Sequence, residues 1–263
     1  MKTTAYLILL MTGMILTSCF QELGQNPPFD FPEQPTPPPI GADGQMFYLS
    51  FDEDLEDFQS LMEAAVVGSP SFADGKSGKA YAGAANSYLT FDVANMAAPL
   101  SSEMTFTFWY KVNATPDRAG ILVIGPPHDG KPANAQNNRT AGIRIFRENA
   151  NGKQRVKANV GNGTADSWVD GTTKADLDPA TAGWVHIALV LTTTKAIFYM
   201  KGVEVAAATF TGISWNKCDL ISIGSGAPRF NEWGHLSDQS LIDELRIFNK
   251  ALPASEIALQ AAQ

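Results

Sequence analysis

The sequence predicts an all-β protein in which two antiparallel sheets pack face to face as a sandwich. From residue 45 onward, short runs rich in Phe, Val, Ile, Thr and Tyr alternate apolar and polar positions, as strands do. Gly, Pro, Asn and Asp separate these runs, as they do at turns. Few stretches show helical periodicity. Many strands with little helix favour two packed antiparallel sheets.

The individual elements follow from the same pattern. A helix is predicted over 253–260, with proline in its first turn, and a weaker helical pattern covers 55–66. The Asn-Gly end of 149–152 suits a hairpin turn that needs positive φ. The predicted strands are 46–51, 79–82, 88–91, 103–112, 119–124, 141–147, 154–160, 184–191, 195–200, 203–209, 220–223 and 241–248.

Alternation is clearest in the strand over 103–112. Successive side chains of a strand point to opposite faces of its sheet. One face therefore carries Met104, Phe106, Phe108 and Tyr110, while the other carries Thr105, Thr107, Trp109 and Lys111. We expect the first face to lie in the core and the second to be mixed.

Residues 1–18 have the features of a signal peptide. Lys2 supplies a positive charge, and the apolar run over 5–16 is too short to span about 30 Å of hydrocarbon. The run ends in Leu16-Thr17-Ser18-Cys19, which resembles the lipobox of bacterial lipoproteins. That resemblance implies cleavage before Cys19 and lipidation of this cysteine. An ordinary secreted protein with a chance cysteine is the alternative.

Residues 19–44 are expected to form a tether. Prolines dominate 24–44 without apolar periodicity, which predicts an extended, polyproline-like spacer. The lipid would then anchor the protein to the membrane. The residue after Cys19 is Phe20 and not aspartate, which resembles the outer-membrane sorting class of Gram-negative lipoproteins. The expected location is extracytoplasmic, at the outer membrane, with periplasmic and cell-surface orientations both open.

Composition narrows the choice of partners. Residues 45–263 fit one large sandwich domain. A net charge of −8 with no Lys/Arg cluster argues against nucleic acid as a partner.

If Cys19 carries lipid, then Cys218, the second of two cysteines, has no disulfide partner. A buried structural thiol is its expected role.

A series of short motifs runs in order along the body of the chain. They are Tyr48-Leu49-Ser50-Phe51-Asp52, Gly75-Lys76-Ser77-Gly78-Lys79-Ala80, Tyr88-Leu89-Thr90-Phe91, Met104-Thr105-Phe106-Thr107-Phe108-Trp109-Tyr110-Lys111, Trp184-Val185-His186-Ile187-Ala188, the strand 196–199 before Lys201-Gly202, and Leu241-Ile242-Asp243-Glu244-Leu245-Arg246-Ile247-Phe248 leading to Ala251-Leu252 and Ser255-Glu256-Ile257. With these motifs, the chain from about Met46 to Leu259 resembles a laminin-G-like domain of the concanavalin A-like lectin/glucanase superfamily. The resemblance implies a jelly-roll sandwich whose first and last strands are adjacent. Because the superfamily contains lectins, glycosidases, adhesion modules and spacers, the resemblance does not by itself assign a function.

Glycosidase chemistry needs two carboxyl groups about 5–10 Å apart beside the sugar bond. Asp243 and Glu244 are consecutive and so lie on opposite faces of their predicted strand. The acidic run over 52–57 is typical of a solvated loop. His186 is expected to be a packed core histidine, while His128 and His235 lie in loops without metal-ligand spacing. We therefore expect a domain that is not an enzyme.

Asp243 alternates with Leu241, Leu245 and Ile247, so it is expected on an apolar face where a carboxylate needs a partner. The superfamily often carries a calcium ion near the first and last strands. We predict Asp52 and Asp243 as its side-chain ligands, with backbone carbonyls from the Gly75–Gly78 turn, including those of Gly75 and Ser77. The alternative is that Asp243 accepts backbone N–H bonds or pairs with an arginine.

A sugar-binding site needs exposed aromatic rings beside polar groups. The long loop over 225–239 offers such a set, and loops of this length are often functional. Arg139 in the loop over 126–140 and Trp168 are further candidates. Alternatively, Phe230 and Trp233 plug the end of the sandwich. The predicted ligand-binding residues are Arg229, Phe230, Asn231, Trp233 and His235.

Together these features predict an envelope lipoprotein whose sandwich binds carbohydrate without catalysis. A protein-interaction or adhesion module of an envelope assembly is the second interpretation, and a glycoside hydrolase is the third. The expected partner is accordingly a glycan or an envelope protein.

Overall fold

The computed structural model describes residues 44–128, 130 and 139–263. The signal peptide, Cys19 and almost all of the tether lie outside the described residues, so these remain predictions. No helix within the described ranges is long and apolar enough to cross a membrane.

The described residues form two eight-stranded antiparallel sheets, a two-stranded hairpin and a C-terminal helix, which confirms the predicted sandwich. In chain order the elements are β1 (Gln45–Leu49), β2 (Glu56–Asp57), β3 (Met62–Glu63), β4 (Ala65–Val67), β5 (Ser71–Asp74), β6 (Lys79–Ala82), β7 (Tyr88–Asp92), β8 (Met104–Lys111), β9 (Arg118–Gly125), β10 (Ile143–Ala150), β11 (Lys153–Gly161), β12 (Asp166–Asp170), β13 (Asp176–Leu177), β14 (Val185–Leu191), β15 (Lys195–Met200), β16 (Val203–Thr209), β17 (Leu220–Ile223), β18 (Leu241–Phe248) and α1 (Ala254–Ala261).

The first sheet has the strand order β16-β15-β14-β8-β18-β6-β5, and β1 also pairs with β18. The start of β18 pairs with β6 through Leu241 and Ala82, and its end pairs with β1 through Leu245 and Leu49. The first and last strands are thus adjacent, as the family resemblance implies. The second sheet runs β12-β11-β10-β9-β17-β7-β4, with β13 paired to β11. The hairpin pairs β2 with β3.

The core lies between the inner faces of the two sheets. Met104, Phe106, Phe108 and Tyr110 of β8 belong to it, as the alternation predicts. From the second sheet, β10 contributes Ile143 and Ile145. Each such buried side chain stabilises the fold by roughly 1.5–3 kcal/mol relative to exposure. The outer face of the second sheet carries a separate apolar cluster, which supports the candidate site described below.

The predicted helix over 55–66 is wrong. The segment forms β2, β3 and the start of β4 instead. The reason lies in Asp57, whose buried carboxylate accepts the N–H groups of Tyr48, Gln59 and Ser60 and so holds the chain in a turn. The strands β5 and β12 were not predicted because they are short and mostly not buried, with few apolar positions to mark them, and β13 was not predicted because it has only two residues.

The prediction that Asp243 shares a face with Leu245 and Ile247 is wrong, although Asp243 is buried and has partners as expected. A bulge shifts the register of β18 between Asp243 and Arg246, and Glu244 has a positive φ of 52°. Consequently Ile242, Leu245 and Ile247 share the core face. Asp243 is instead buried against the turn over 75–79.

Candidate functional site

The candidate site lies where the long loop between β17 and β18 folds over the outer face of the second sheet. Phe146 of β10 points to that face, because its neighbour Ile145 points into the core. From the loop, Phe230 packs on Phe146 with ring centroids 5.5 Å apart, and Val123 of β9 completes the cluster. The loop is therefore part of the packed structure.

Close backbone contacts hold the loop in place. The N–H of Gly226 donates to the carbonyl of His235 at 3.1 Å, and Gly120 of β9 donates to the carbonyl of Leu236 at 3.0 Å. A Cβ on Gly226 would lie 2.1 Å from the carbonyl oxygens of both Phe230 and His235. Only glycine fits there.

A buried polar network anchors the end of the loop. Asp238 forms an ion pair with Arg147 at 2.8 Å, and both side chains are essentially without exposed surface. Tyr110 donates its hydroxyl to the other carboxylate oxygen of Asp238 at 2.6 Å, and Ser240 donates to Asp238 at 2.7 Å. A buried ion pair is tolerated when its remaining groups are hydrogen-bonded in this way.

His235 is buried beneath the surface of the site. Its ring stacks on Phe230 with centroids 4.8 Å apart and planes 16° from parallel. Its Nδ1 lies 2.6 Å from the carbonyl oxygen of Glu232, and its Nε2 lies 3.1 Å from Glu148 Oε1. The hydrogen bonds from His235 and Lys157 lower the pKa of Glu148 to about 2. His235 thus ties the loop to β10.

The structure divides the predicted ligand-binding residues into two groups. Phe230 and His235 are fully buried, so they support the surface and do not form it. Trp233 and Asn231 are exposed, and Arg229 is partly exposed and pairs with Asp219 at 2.7 Å. Trp233 adopts a positive φ of 55°, which is rare for a bulky residue and is often found at functional positions.

Two exposed tryptophans meet at the surface of this site. Trp168 on β12 is 44% exposed and Trp233 in the loop is 40% exposed. Their ring centroids are 6.1 Å apart and their planes are tilted by 49°. We call this pair the tryptophan ridge. Aromatic rings of this kind stack on the apolar faces of sugars while polar neighbours bind the hydroxyl groups.

Arg139 supports the tryptophan ridge from below. Its guanidinium carbon lies 4.8 Å from the Trp233 ring centroid and 5.9 Å from that of Trp168. An ion pair of 2.9 Å joins it to Asp166 of β12, which also accepts an N–H bond of 2.9 Å from Asn159. Trp168 and Arg139 were candidates from the sequence, but Asp166 and Phe146 were missed, because nothing in the chain marks contacts between distant segments.

Two carboxylates on this face, those of Glu148 and Asp170, are ion-pair partners of one lysine. Glu148 bonds Lys157 at 3.0 Å, and Asp170 lies 3.2 Å from the same lysine. A glycosidase needs one carboxyl group that holds its proton at neutral pH. Glu148 has a pKa of about 2, so its carboxyl group does not hold its proton at neutral pH. Glu148 is therefore unsuited to the role of general acid.

The predicted calcium residues converge on the turn over 75–79 of the first sheet. Asp243 Oδ2 accepts the N–H groups of Lys76 at 2.7 Å and Ser77 at 3.0 Å, and Asp52 Oδ1 accepts that of Lys79 at 2.7 Å. The turn that follows Gly75 thus presents the N–H groups of Lys76 and Ser77 to Asp243, as the alternative interpretation expects, while Gly75 donates its own N–H to the carbonyl of Gly78. Burial raises the pKa of Asp243 to about 7. Within the described ranges, no three His, Cys, Asp or Glu side chains form a metal-binding group.

The remaining titratable candidates have structural roles. His186 is buried beside Trp109 with ring centroids 5.4 Å apart, and burial lowers its pKa to about 4, so it is a neutral packed histidine. Cys218 lines a shallow cleft of about 440 Å³ with Met96 and Trp215. Burial raises the pKa of its thiol to about 12, which makes it a poor nucleophile.

Comparison with known proteins identifies the family. A laminin-G-type family model, described as the concanavalin A-like lectin/glucanases superfamily, matches residues 83–258. The chain belongs to this superfamily. No curated protein matches the chain.

Several solved structures resemble this member of the superfamily. Domain 4 of AbnA, a GH43 extracellular arabinanase from Geobacillus stearothermophilus in complex with arabinotriose, aligns with a TM-score of 0.60 and 22% identity over 84% of this chain and 98% of that domain. The binding domain of botulinum neurotoxin DC in complex with SialylT aligns with a TM-score of 0.55 and 13% identity over 84% of this chain. The same toxin domain in complex with rat synaptotagmin II aligns with a TM-score of 0.57 and 12% identity over 85% of this chain. This chain spans about half of the toxin domains, 51% and 52% respectively, and at these identities the likeness shows the fold alone.

Proposed function

We propose that this domain binds carbohydrate without catalysis and that the tryptophan ridge is its binding surface. The observation that carries the proposal is the pair of exposed indole rings held over a buried ion pair. Exposing two large aromatic rings costs apolar burial, and a rigid support is what a binding surface needs. The ion-paired carboxylates around the ridge favour binding over hydrolysis.

The structural neighbours support the same class of ligand. The arabinanase domain is described in complex with arabinotriose, and one neurotoxin domain in complex with SialylT. These ligands are those of the neighbouring domains. For this chain, they support a glycan as the proposed partner.

A glycan array with the full-length chain tests the proposal. We expect signals that are lost in Trp233→Ala and in Trp168→Ala. Phe72→Ala, which removes an exposed ring from β5 in the other sheet, is the matched control and should bind as the native chain does. A silent array refutes carbohydrate binding, and release of reducing sugar would refute the non-catalytic part.

Protein interaction is the second candidate function. Phe58 and Leu61 are exposed at the tip of the β2–β3 hairpin, far more than apolar side chains usually are. A toxin domain of the same fold is described in complex with rat synaptotagmin II. Co-purification of an envelope protein, lost in the double variant Phe58→Ser and Leu61→Ser while the glycan array stays silent, would favour this function.

We also propose that the chain is a lipoprotein of the outer membrane, lipidated on Cys19. The lipobox-like motif and the apolar run before it support this. Metabolic labelling with palmitate should mark the native chain and not Cys19→Ala. Unlabelled native chain contradicts the proposal, and protease treatment of intact cells distinguishes the surface from the periplasm.

Calcium remains a proposal. Asp243 Oδ1 is buried and has no hydrogen-bond partner among the described residues, which supports an ion beside it and Asp52. Bound calcium would neutralise the two carboxylates and stabilise the turn. The melting temperature should then rise with CaCl₂ and fall with EDTA, and Asp243→Asn should abolish both changes. A melt unaffected by EDTA refutes the ion.

A further inference from the structure

The tryptophan ridge has a defined shape because both rings share one cation beneath them. The Arg139 guanidinium carbon lies 4.8 Å from one ring centroid and 5.9 Å from the other, and the centroids are 6.1 Å apart. These three points form a compact triangle whose shortest side joins Arg139 to Trp233. Arg139 is 5% exposed, whereas both rings are exposed by 40% or more. The cation therefore lies on the inner side of both rings.

The outer faces of the two rings consequently diverge. Both inner faces turn toward the same guanidinium group, and the ring planes are tilted by 49°. Rings from below support this tilt, because Phe146 meets Trp168 at 86° and Phe230 meets Trp233 at 78°. A flat surface cannot lie against both outer faces at once.

The divergence sets the spacing of a bound ligand. Sugar rings packed at van der Waals distance on the two outer faces would have centres about 9 Å apart. Directly linked pyranose rings share one bridging oxygen, which keeps their centres closer together than this. Trp168 and Trp233 would therefore contact non-adjacent sugar units, with at least one unit crossing the ridge between them.

We propose that the ridge binds a single soluble oligosaccharide strand of three or more units that turns over it, and does not bind the flat face of a crystalline polysaccharide. This inference rests on the proposed carbohydrate-binding function. It adds the conformation and minimum length of the ligand, both of which follow from the ring geometry.

Isothermal titration of the full-length chain tests the length requirement. The probes are β-1,4-gluco-, β-1,4-xylo- and α-1,5-arabino-oligosaccharides, each as the disaccharide, trisaccharide and hexasaccharide, together with sedimentation on crystalline cellulose. In at least one series, the trisaccharide and hexasaccharide should bind about tenfold or more tightly than the disaccharide, since the disaccharide reaches one ring only. Trp168→Ala and Trp233→Ala should each reduce hexasaccharide binding to the disaccharide level, while Phe72→Ala changes nothing.

The possible results distinguish a failure of this inference from a failure of the proposed carbohydrate binding. A disaccharide that binds as tightly as its hexasaccharide overturns the inference and leaves carbohydrate binding standing. Sedimentation of the protein with crystalline cellulose, without binding of the soluble oligosaccharides, also overturns the inference and leaves carbohydrate binding standing. Absence of binding to every probe, together with a silent glycan array, refutes the proposed function itself. Melting temperatures of the variants show whether a loss of binding reflects unfolding.

Discussion

Tyr110→Phe should destabilise the protein substantially although it removes one oxygen atom. The Tyr110 hydroxyl donates to Asp238 Oδ2 at 2.6 Å in the core, while Arg147 and Ser240 bond the other oxygen, Oδ1. Phenylalanine keeps the ring and leaves Oδ2 without this donor. Losing a buried hydrogen bond to a charged acceptor costs about 1.5–3 kcal/mol.

Urea denaturation and calorimetry of the full-length chain measure this effect. For a domain of this size, the loss corresponds to a fall of about 4–10 °C in melting temperature. Tyr81→Phe is the matched control, because the Tyr81 hydroxyl is equally buried but has no hydrogen-bond partner among the described residues. We expect that control to be neutral or stabilising. If Tyr110→Phe lowers the melting temperature no more than Tyr81→Phe does, the network does not anchor the loop as described.

Three further predictions concern single positions. Gly226→Ala should displace the long loop, since its methyl group would lie 2.1 Å from two carbonyl oxygens. We expect the free energy of unfolding to fall by about 2–4 kcal/mol and glycan binding to weaken. A melting curve like that of the native protein would contradict this. Burial raises the pKa of Asp243 from 3.8 to about 7, so the folded state holds this proton more tightly than the unfolded chain. Without calcium, its stabilising contribution, on the order of 4 kcal/mol, should be complete below pH ~4 and disappear as the pH rises to about 7. Asp243→Asn should flatten that part of the pH–stability curve, and an unchanged curve would exclude Asp243 as its source. Cys218 should react with iodoacetamide at pH 7 only after unfolding in urea, as measured by mass spectrometry, and rapid labelling of the native protein would show that its thiol is accessible.

Many strands were predictable because the alternation of apolar and polar residues is local. The strands β6, β15, β16, β17 and β18 have the predicted bounds, and the face of β8 that carries Phe106 and Phe108 is in the core as expected. Where apolar and polar residues alternate, only one face of the strand suits burial. The segment over 55–66 has no such alternation, and the buried carboxylate of Asp57 determines its conformation instead.

The candidate site was predictable only in part. The long loop and its Trp233 were recognisable from composition and length, but the burial of Phe230 and His235 depends on their contacts with Phe146 of β10. The strand that presents Trp168 is five residues long and has one buried residue, Val169, so periodicity does not reveal it. The bulge at Glu244 is equally invisible, because nothing in the sequence indicates a register shift between β18 and β8.

The sequence by itself determined the sandwich class, the positions of most longer strands along the chain and the family resemblance, since these depend on residue patterns within each segment. It also supplied the predictions for Cys19 and the tether, which lie outside the described residues. Only the tertiary structure decided that Trp168, Trp233 and Arg139 form one surface and that Asp238, Arg147 and Tyr110 hold the loop beneath it. These residues come from segments far apart in the chain, and their proximity is a product of how two sheets and one loop pack.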